Sequence, residues 1–463
     1  MKNCDIALYG LGVMGSSLAK NMIHHDFRVA AYSKSDAERE RFAVPGKEDN
    51  YAVCADVREM VASLKTPRII FMMVTAGPAV DSVIAELLPF LEQGDVLIDG
   101  GNSYFKDTAR RYEDLESKGI CYLGVGVSGG EKGALYGPSM MAGGSRKGWE
   151  ASRHILQTIA AHCGEDSCCT YISREGAGHY VKMVHNGIEY AVLQLIAETY
   201  YVMKHGLHLT HEQITDIFRE WKSSRLNSYL IDISVSVLEK MDEDGTPLVE
   251  KILDVAAQKG TGRWTLEESI ARGVYIPTIF EAVFARNFSS DKEVRKEGYQ
   301  KLSATAVPVV MDTCAKKLGD ALLLSIIVSY AQGMALIAKA SDENGWDIDL
   351  ADLIGVWRAG CIIRSELLTE VKDSLKENEK NLILTDTFSY IGDLEPALRE
   401  TVTKAENAAI AVPALASALH YYDYYRSEQM PVNFVQALRD CFGAHTYERT
   451  DREGHFHTEW EQE

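Results

Sequence analysis

Short apolar runs recur through the first third of the chain and are separated by stretches able to form helices. Each run is a few residues long and almost wholly apolar, which is typical of strands buried on both faces of a parallel sheet. The runs are Ile6–Tyr9, Val29–Tyr32, Ile69–Val74, Val96–Asp99 and Tyr122–Val125. This alternation predicts a doubly wound α/β domain of the Rossmann type over residues 1–176.

The pattern changes after Gly176. Apolar residues then recur with the 3.6-residue period of helices, and runs suited to strands largely disappear. We therefore expect a large all-α domain over residues 177–435. Residues 436–463 are rich in charge, histidine and glycine, which predicts an irregular C-terminal tail.

One stretch of the predicted helical region carries its polar residues on a single face. Lys182, His185, Asn186 and Glu189 are spaced i, i+3, i+4 and i+7. A separate stripe suits a core and consists of Val181, Val184, Ile188, Val192 and Leu195. Seven helical residues rise about 10 Å, so the amine and the carboxylate could flank a small substrate as a base and an acid. An ordinary solvated helix face is the alternative interpretation.

A glycine-rich turn follows the first predicted strand. A helical pattern starts near Ser16, so strand, turn and helix follow in the order of a dinucleotide-binding fold. The first glycine permits a tight turn, the second lets a pyrophosphate approach the backbone, and the third allows close helix packing. Unpaired N–H groups at the helix start suit the pyrophosphate. We predict that a nicotinamide dinucleotide binds at Gly10, Leu11, Gly12, Val13, Met14 and Gly15.

The end of the second predicted strand bears on the identity of the coenzyme. Ser33, Lys34 and Ser35 stand where an NAD-binding fold commonly presents an acidic residue to the ribose. Hydroxyls and an ammonium group suit a 2′-phosphate instead, so the sequence favours NADP. Asp36 stands slightly late for a ribose carboxylate, and NAD therefore stays possible.

Composition and charge narrow the classes of function. The 463 residues carry a formal net charge of -19, which argues against a general binder of nucleic acid or of anionic membranes. The most apolar window, around Ala321–Val328, is flanked by charged residues before it reaches membrane length. Nine scattered cysteines and an N-terminus without a secretory pattern predict a reduced, cytoplasmic protein without a membrane partner.

Six motifs occur in an order that resembles one known family. They are Asp99–Asn102 (DGGN), Gly126–Glu131 (GVSGGE), Gly137–Ser139 (GPS), Gly178–Tyr190, Lys259–Trp264 (KGTGRW) and Phe442–Tyr447 (FGAHTY). With these motifs and the glycine turn, essentially the whole chain resembles the 6-phosphogluconate dehydrogenase family. Six motifs in one order are far more specific than any single motif.

The resemblance implies oxidative decarboxylation of 6-phosphogluconate to ribulose 5-phosphate and carbon dioxide with reduction of NADP, as in the pentose phosphate pathway and gluconate utilization. It implies that Lys182 is the general base for the substrate's 3-hydroxyl and that Glu189 protonates C1 of the enediol. It implies no metal, since protonated Lys182 can hydrogen-bond the developing enolate oxygen. Lys182 must start neutral, so we expect burial or neighbouring positive charge to lower its pKa.

The resemblance also assigns residues to the ligands. The sugar-acid carboxylate and hydroxyls would meet Asn102, Ser128, Gly129, Gly130, His185 and Asn186. The substrate phosphate would meet Tyr190, Lys259, Thr261 and Arg286. The coenzyme would meet Gly10 to Gly15, Ser33, Lys34, Ser35, Val74, Thr75, Ala76 and Asn102. From the residues alone, Ser128–Gly130 could be an ordinary turn, and residues 259–262 could be a surface loop.

Members of this family are dimers whose C-terminal tail reaches the neighbouring subunit's active site. The resemblance therefore implies a homodimer in which Arg439 and His445 are supplied across the interface. Without the resemblance, the tail would be interpreted as disordered or as packed on its own subunit.

Two coenzyme motifs depart from the family's pattern. Lys34 stands where NADP-dependent members usually carry an arginine, and a lysine lacks the planar fork that grips a phosphate with two nitrogens. Thr75 stands where the family often has a lysine. We therefore expect a weaker preference for NADP than is usual in the family.

Two other functions fit parts of the sequence. A 3-hydroxyacid dehydrogenase acting on an unphosphorylated acid would share the glycine turn and the lysine, but it would not need Lys259 and Arg286. A cofactor-binding regulator without turnover would not need both Lys182 and Glu189.

Overall fold

The computed structural model describes residues 3–258, 260–302, 311–377 and 381–460. The chain forms two compact units, Met1–Ala418 and Leu419–Glu463. All nine cysteines are free thiols, so no disulfide contributes to either unit.

Ten strands lie in the described part of the first unit. In chain order they are β1 (Ile6–Tyr9), β2 (Val29–Tyr32), β3 (Tyr51–Val53), β4 (Ile69–Met72), β5 (Val96–Asp99), β6 (Cys121–Ser128), β7 (Ser139–Gly144), β8 (His162–Cys163), β9 (Asp166–Ser167) and β10 (Cys169–Ser173). Eight of them form one sheet in the order β10-β7-β6-β5-β4-β1-β2-β3. Strands β8 and β9 form a separate antiparallel pair.

The sheet is parallel from β3 to β6. The five buried apolar runs predict β1, β2, β4, β5 and β6, whereas the short, partly exposed β3 was not predicted. Strands β1, β2 and β5 have the predicted bounds, whereas β4 ends earlier and β6 extends further at both ends. The sequence did not predict that β7 runs antiparallel to β6, with β10 parallel to β7 beyond it. The reason is composition, because Ser139–Gly144 consists of serine, methionine, alanine and glycine rather than β-branched residues.

Helices cover both faces of this sheet. They are α1 (Val13–His24), α2 (Asp36–Arg41), α3 (Val57–Ala62), α4 (Pro78–Leu87), α5 (Phe105–Ser117), α6 (Gly130–Tyr136) and α7 (Arg146–Ile159). Successive residues of a strand point to opposite faces, so Leu8 packs in one apolar layer with α1 and α7 while Ala7 packs in the other with α3 and α4. Both layers exclude water, which is the doubly wound arrangement that the sequence predicts.

The rest of the first unit is helical. Its helices are α8 (Ala177–Tyr201), α9 (His211–Trp221), α10 (Tyr229–Glu239), α11 (Thr261–Arg272), α12 (Pro277–Ser289), α13 (Lys292–Leu302), α14 (Ala315–Asn344), α15 (Leu350–Trp357), α16 (Leu367–Glu377), α17 (Ile391–Asn407) and the start of α18 (Pro413–Arg426). By length and composition α14 is apolar enough to cross a membrane, but 89% of its most apolar window is buried inside the protein. That burial is typical of a core helix.

The second unit contains the end of α18, then α19 (Val432–Gly443) and a hairpin of β11 (Tyr447–Glu448) and β12 (His455–Phe456). The Asp440 carboxylate accepts hydrogen bonds from the backbone N–H groups of Thr446 and Thr458 at 2.9 and 3.0 Å. Apart from the end of α19 and this hairpin, residues 436–460 are irregular, as predicted for the tail.

The first turn of α8 lies unusually close to the sheet. A Cβ atom on Gly178 would stand 2.5 Å from the carbonyl oxygens of Gly124 in β6 and Met141 in β7. A Cβ on Gly126 would stand 2.4 Å from the Cβ of Lys182. Only glycine fits at these two positions, so the two glycines bring the backbone of α8 directly against β6 and β7.

We expect Gly178→Ala to destabilise the protein strongly. The added methyl group would collide with backbone atoms that cannot move without breaking the β6–β7 pairing, and overpacking of this kind costs about 1–3 kcal/mol or more. Thermal unfolding followed by circular dichroism measures the effect as a lower Tm.

Gly298→Ala in α13 is the matched control, because a Cβ there meets no heavy atom within 4 Å. Replacing a helix-interior glycine by alanine is expected to stabilise by up to about 1 kcal/mol. Equal Tm values for the two variants would contradict the close approach of α8 to the sheet.

Candidate active site

Helix α8 is buried on nearly every side, including the face that carries its polar residues. Lys182 is 6% exposed, His185 is 0% exposed and Asn186 is 9% exposed. Strands β6 and β7 pack against one side of the helix, and α11, α12 and α14 pack against the others. The alternative of a solvated helix face is therefore wrong, and the polar residues face an enclosed site.

Four of the predicted residues meet around the His185 ring at this site. The Nζ atom of Lys182 lies 3.4 Å from Nδ1 of His185, and the Oγ atom of Ser128 lies 3.3 Å from Nε2 of the same ring. Asn186 completes the group, with its Oδ1 atom 3.2 Å from Nδ1 of His185. Ser128 is the last residue of β6 and precedes the Gly129–Gly130 turn, in which both glycines have positive φ. The sequence motifs GVSGGE and Gly178–Tyr190 thus meet in space.

Burial shifts the pKa values of the ionisable side chains on this face of α8. Removal from water lowers the pKa of Lys182, although the carboxylate of Glu189 opposes the shift. Burial raises the pKa of Glu189, although Lys182 and Arg286 oppose that shift. Burial and the nearby ammonium group both lower the pKa of His185 well below its usual value. Burial therefore shifts each of the three pKa values toward the neutral form of its group.

A cationic group lies beside Tyr190, about two helical turns beyond Lys182 in α8. The guanidinium of Arg286, in α12, stacks 3.5 Å from the centre of the Tyr190 ring. Thr261 is buried and begins α11, and Thr265 in the same helix donates a hydrogen bond to the carbonyl of Met183 in α8 at 3.1 Å. The structure thus brings Arg286 and the start of α11, where Thr261 lies, beside Tyr190 in the middle of α8. Lys259, predicted for the same role, lies outside the described residues.

A cleft of about 720 Å³ lies beside the glycine turn. Its lining includes most of the residues predicted for the coenzyme, namely Gly12, Val13, Met14, Gly15, Val74, Thr75, Ala76 and Asn102. Gly10 and Leu11 belong to the same turn but lie behind the cleft, and Leu11 is buried in the core. A Cβ on Gly15 would stand 1.9 Å from the carbonyl oxygen of Gly10, so the turn requires glycine there.

This cleft fits a dinucleotide. A Cβ on Gly12 would meet no atom closer than 3.8 Å, so open space lies directly outside the turn. The turn leads into the first N–H groups of α1, which are donors for a pyrophosphate. Among the described residues, no group of three or more histidine, cysteine, aspartate or glutamate side chains is arranged to hold a metal ion.

A buried carboxylate shapes the loop that carries Asn102. Asp99 ends β5, and its Oδ1 atom accepts a hydrogen bond from the Gly101 backbone N–H at 3.0 Å. Its Oδ2 atom accepts from the hydroxyls of Ser103 and Tyr122 at 2.6 and 3.1 Å. The DGGN motif therefore contributes an internal support for the loop as well as the predicted contact residue.

The residues after β2, predicted to meet the coenzyme, make contacts within the protein. Ser33 is buried and its hydroxyl donates to Glu38, while the exposed Lys34 forms an ion pair with Glu86 at 2.9 Å. The Ser35 hydroxyl caps α2 by accepting from the Glu38 backbone N–H at 3.3 Å. Ser33 and Lys34 thus donate to carboxylates within the protein, and the Ser35 hydroxyl accepts a bond from the helix that it caps.

The sequence did not single out two aromatic residues that line the cleft. Tyr104 and Trp264 face each other with ring centres 4.8 Å apart. The Lys106 ammonium bonds the buried carboxylate of Glu268 at 2.8 Å beside them, and so joins α5 to α11. Tyr104 and Trp264 follow the DGGN and KGTG motifs closely, which is the only sequence signal that could have suggested them.

Arg439 and His445 belong to the second unit. Arg439 donates to the Gln436 side chain at 3.0 Å, and His445 packs edge-on against Phe442. These contacts lie within the tail itself, and the role predicted for both residues stays a prediction.

Comparisons with known proteins agree over the whole chain. A profile of the NAD binding domain of 6-phosphogluconate dehydrogenase matches residues 5–173, and a profile of the C-terminal domain of the same enzyme matches residues 178–460. The chain is 45% identical over 467 residues to the NADP(+)-dependent, decarboxylating 6-phosphogluconate dehydrogenase of Bacillus subtilis, covering 99% of this chain and 100% of that one. It is 46% identical over 468 residues to the decarboxylating enzyme of Lactococcus lactis, covering 99% of each.

A solved structure is similar over the same extent. The 6-phosphogluconate dehydrogenase of Plasmodium falciparum, described in its apo form and in complexes with NADP+ and with 6-phosphogluconate, superposes with a TM-score of 0.95 at 40% identity. The match covers 99% of this chain and 100% of that chain.

We expect Lys182→Met to stabilise the folded protein at neutral pH. Between the lowered pKa of Lys182 in the folded state and the ordinary value of 10.5, the unfolded state binds more protons, so stability rises with pH. Methionine removes this cost at similar volume, and Tm at pH 7 should rise by about a few degrees. The gain should shrink as the pH approaches 10.5.

Lys147→Met, on the exposed face of α7, controls for a general effect of the substitution. A wild-type Tm above that of Lys182→Met at pH 7 would show that the amine is charged and stabilised in the fold.

Proposed function

This chain belongs to the 6-phosphogluconate dehydrogenase family, and on that premise we propose that it catalyses the oxidative decarboxylation of 6-phosphogluconate with NADP+. The products are ribulose 5-phosphate, carbon dioxide and NADPH. The observation that carries this proposal is the buried helix face of α8, where burial lowers the pKa of Lys182 and raises the pKa of Glu189 on the same helix. The reaction needs a neutral amine as base and a protonated carboxylic acid, and both shifts are in that direction.

Lys182 is the proposed base of the first step. Its neutral amine takes the proton of the 3-hydroxyl while the hydride on C3 leaves, and the bound nicotinamide, when present, accepts that hydride. The step converts the alcohol to a ketone and leaves Lys182 protonated. Its position 3.4 Å from the neutral ring of His185 keeps the amine directed into the site.

The second step is loss of the carboxylate as carbon dioxide. The electron pair of the broken bond moves onto the ketone oxygen, and protonated Lys182 stabilises the growing negative charge by hydrogen bonding and by returning its proton. An enediol results. Glu189, whose pKa burial raises, then delivers its proton to C1 while the neutral Lys182 takes the proton of the enol hydroxyl, and the ketose results. The loss of carbon dioxide needs no further acid or base.

The substrate's polar groups suit the residues around this pair. Ser128, the Gly129–Gly130 turn and Asn186 offer donors for the sugar-acid carboxylate and hydroxyls. Arg286 and Thr261 lie at the far end of the site and suit the phosphate, with Tyr190 holding the guanidinium in place. This cationic end favours a phosphorylated acid over the unphosphorylated 3-hydroxyacid of the alternative function.

The direct test incubates the purified protein with 6-phosphogluconate and either NADP+ or NAD+. Coenzyme reduction is followed by absorbance, and the carbon dioxide that the reaction releases is trapped and measured. Wild-type protein should release one carbon dioxide for each coenzyme reduced. Glu189→Gln, which cannot donate the C1 proton, should lower kcat by about 10²–10⁴-fold and remove one limb of a bell-shaped pH–rate profile. Its dissociation constant for 6-phosphogluconate, measured by calorimetry, should change far less.

The exposed Glu212→Gln in α9 is the control and should behave as the wild-type protein. A folded wild-type protein that reduces neither coenzyme with this substrate would refute the proposed function. An unchanged kcat in Glu189→Gln would refute only the role of Glu189.

We further propose that the active form is a homodimer in which each tail completes the partner's active site through Arg439 and His445. Helix α19 supports an interface because its apolar side chains are exposed in the single chain, with Phe434 67% and Phe442 75% exposed. Two copies related by a two-fold axis would bury both such surfaces.

Mixing two inactive homodimers tests this arrangement. If Arg439 serves the partner's site, exchange between Lys182→Ala and Arg439→Ala subunits creates hybrids with one intact site and restores up to about a quarter of wild-type activity. Lys182→Ala mixed with Glu189→Ala is the control, because both changes lie in one chain's α8 and no hybrid site is intact. If the first mixture recovers no more activity than the control, Arg439 does not act across the interface.

A further inference from the structure

An acidic side chain lies between the end of β2 and the glycine turn. The Oε2 atom of Glu38 accepts a hydrogen bond from the Ser33 hydroxyl at 2.5 Å. Its Oε1 atom points toward Gly12 and stands 3.8 Å from the position that a Cβ would take there. In dinucleotide folds this corner receives the adenosine ribose, whose hydroxyls are commonly bound by a carboxylate at the end of the second strand. Here the carboxylate comes instead from the first turn of α2.

Helix capping does not account for the position of this side chain. Ser35 and Glu38 have the spacing of a capping box, in which the glutamate would bond the backbone N–H of the capping serine. In the structure that N–H donates to the Ser33 hydroxyl at 3.3 Å, and the Glu38 carboxylate also turns to Ser33. The carboxylate therefore faces the glycine turn rather than its own helix end.

The cations near this corner are committed to other acidic groups. The Lys34 ammonium pairs with Glu86 at 2.9 Å, and the Tyr9 hydroxyl donates to the same carboxylate at 2.9 Å. A 2′-phosphate would have to draw Lys34 away from Glu86 or share it.

Arg39 is the second cation near the corner, and it is also engaged. Its guanidinium donates to the carbonyl of Ser33 and to the carboxylate of Asp36. Three carboxylates, on Asp36, Glu38 and Glu86, thus face two cations, on Lys34 and Arg39, which leaves a local excess of one negative charge. A nearly dianionic phosphate is disfavoured in such surroundings, whereas two ribose hydroxyls are good donors to Glu38.

We infer that Glu38 is the residue that sets the coenzyme preference of this chain. Its carboxylate accepts the adenosine ribose hydroxyls of NAD+ and opposes the 2′-phosphate of NADP+, so the two coenzymes bind with dissociation constants within about tenfold of each other. The inference rests on the dinucleotide site of the proposed function and adds NAD+ as a second coenzyme. It also adds a second physical reason, besides lysine in place of arginine at position 34, for the weaker NADP preference that the sequence predicts.

Calorimetry with two fragments that lack nicotinamide tests the inference without turnover. ADP-ribose and 2′-phospho-ADP-ribose differ only in the 2′-phosphate, so the ratio of their dissociation constants reports on this corner alone. The wild-type ratio should lie within about tenfold of one. In Glu38→Gln the 2′-phosphorylated fragment should bind about tenfold tighter than to the wild type, since one opposing charge is gone, and ADP-ribose should bind no tighter.

Glu40→Gln is the matched control, because it removes the same charge from an exposed position of the same helix. It should change the ratio by less than about twofold, since screening weakens the effect of an exposed charge. A ratio in Glu38→Gln no different from that in Glu40→Gln would overturn the inference. So would a wild-type preference for the 2′-phosphorylated fragment above about tenfold.

These outcomes are separable from the proposed function. If both fragments bind and Glu38→Gln changes the ratio of their dissociation constants no more than Glu40→Gln does, the role of Glu38 is rejected. The proposed decarboxylation is not affected by that outcome. Binding of neither fragment rejects the dinucleotide site and, with it, both the inference and the proposed function. A failure of decarboxylation with normal fragment binding rejects only the proposed reaction.

Discussion

The close approach of α8 to strands β6 and β7 is the constraint on which the active site depends. It exists because Gly126 and Gly178 have no side chains at the points where the helix meets the sheet. A helix held this close to a sheet on one side and covered by α11, α12 and α14 on the others is buried along most of its length. Lys182 is therefore buried, and the free energy of removing its charge from water lowers the pKa of the amine. The same burial raises the pKa of Glu189.

Helix α8 also organises the residues that come from elsewhere in the chain. Ser128 reaches the helix from the end of β6, and Thr265 ties α11 to the backbone of α8. Arg286 is placed by its stacking on Tyr190, which is itself part of α8. Groups separated by more than a hundred residues thus share one framework, and rigid elements rather than loops carry the reacting pair. That arrangement suits chemistry in which a proton must move between fixed positions.

The coenzyme side of the site follows a different physical rule. The glycine turn and the cleft beside it are set by backbone geometry, which a local motif specifies well. The corner beyond β2 is set by side-chain electrostatics among Lys34, Arg39 and three carboxylates, of which Glu86 is remote in sequence. Interpreting Ser33, Lys34 and Ser35 in isolation favours a phosphate site, whereas their partners in the fold make the corner acidic. The local sequence is therefore enough to predict the backbone fold of such a coenzyme site, but it does not determine which coenzyme the site prefers.

The sequence by itself determined the strand positions of β1, β2 and β5, the glycine turn and the helical spacing of Lys182, His185, Asn186 and Glu189, because each depends on short-range periodicity or on a contiguous motif. It missed β3, which has only three residues, and β7, which consists of serine, methionine, alanine and glycine, and it also missed β10. Only the tertiary structure decided whether α8 was solvated or buried, because that depends on contacts with Gly124, Gly126 and Met141, which lie far from the helix in sequence. Only the tertiary structure paired Lys34 with Glu86 and directed Glu38 toward Gly12. A pKa or a ligand preference depends on everything within a few ångströms of a group, and the neighbours that matter here come from distant parts of the chain.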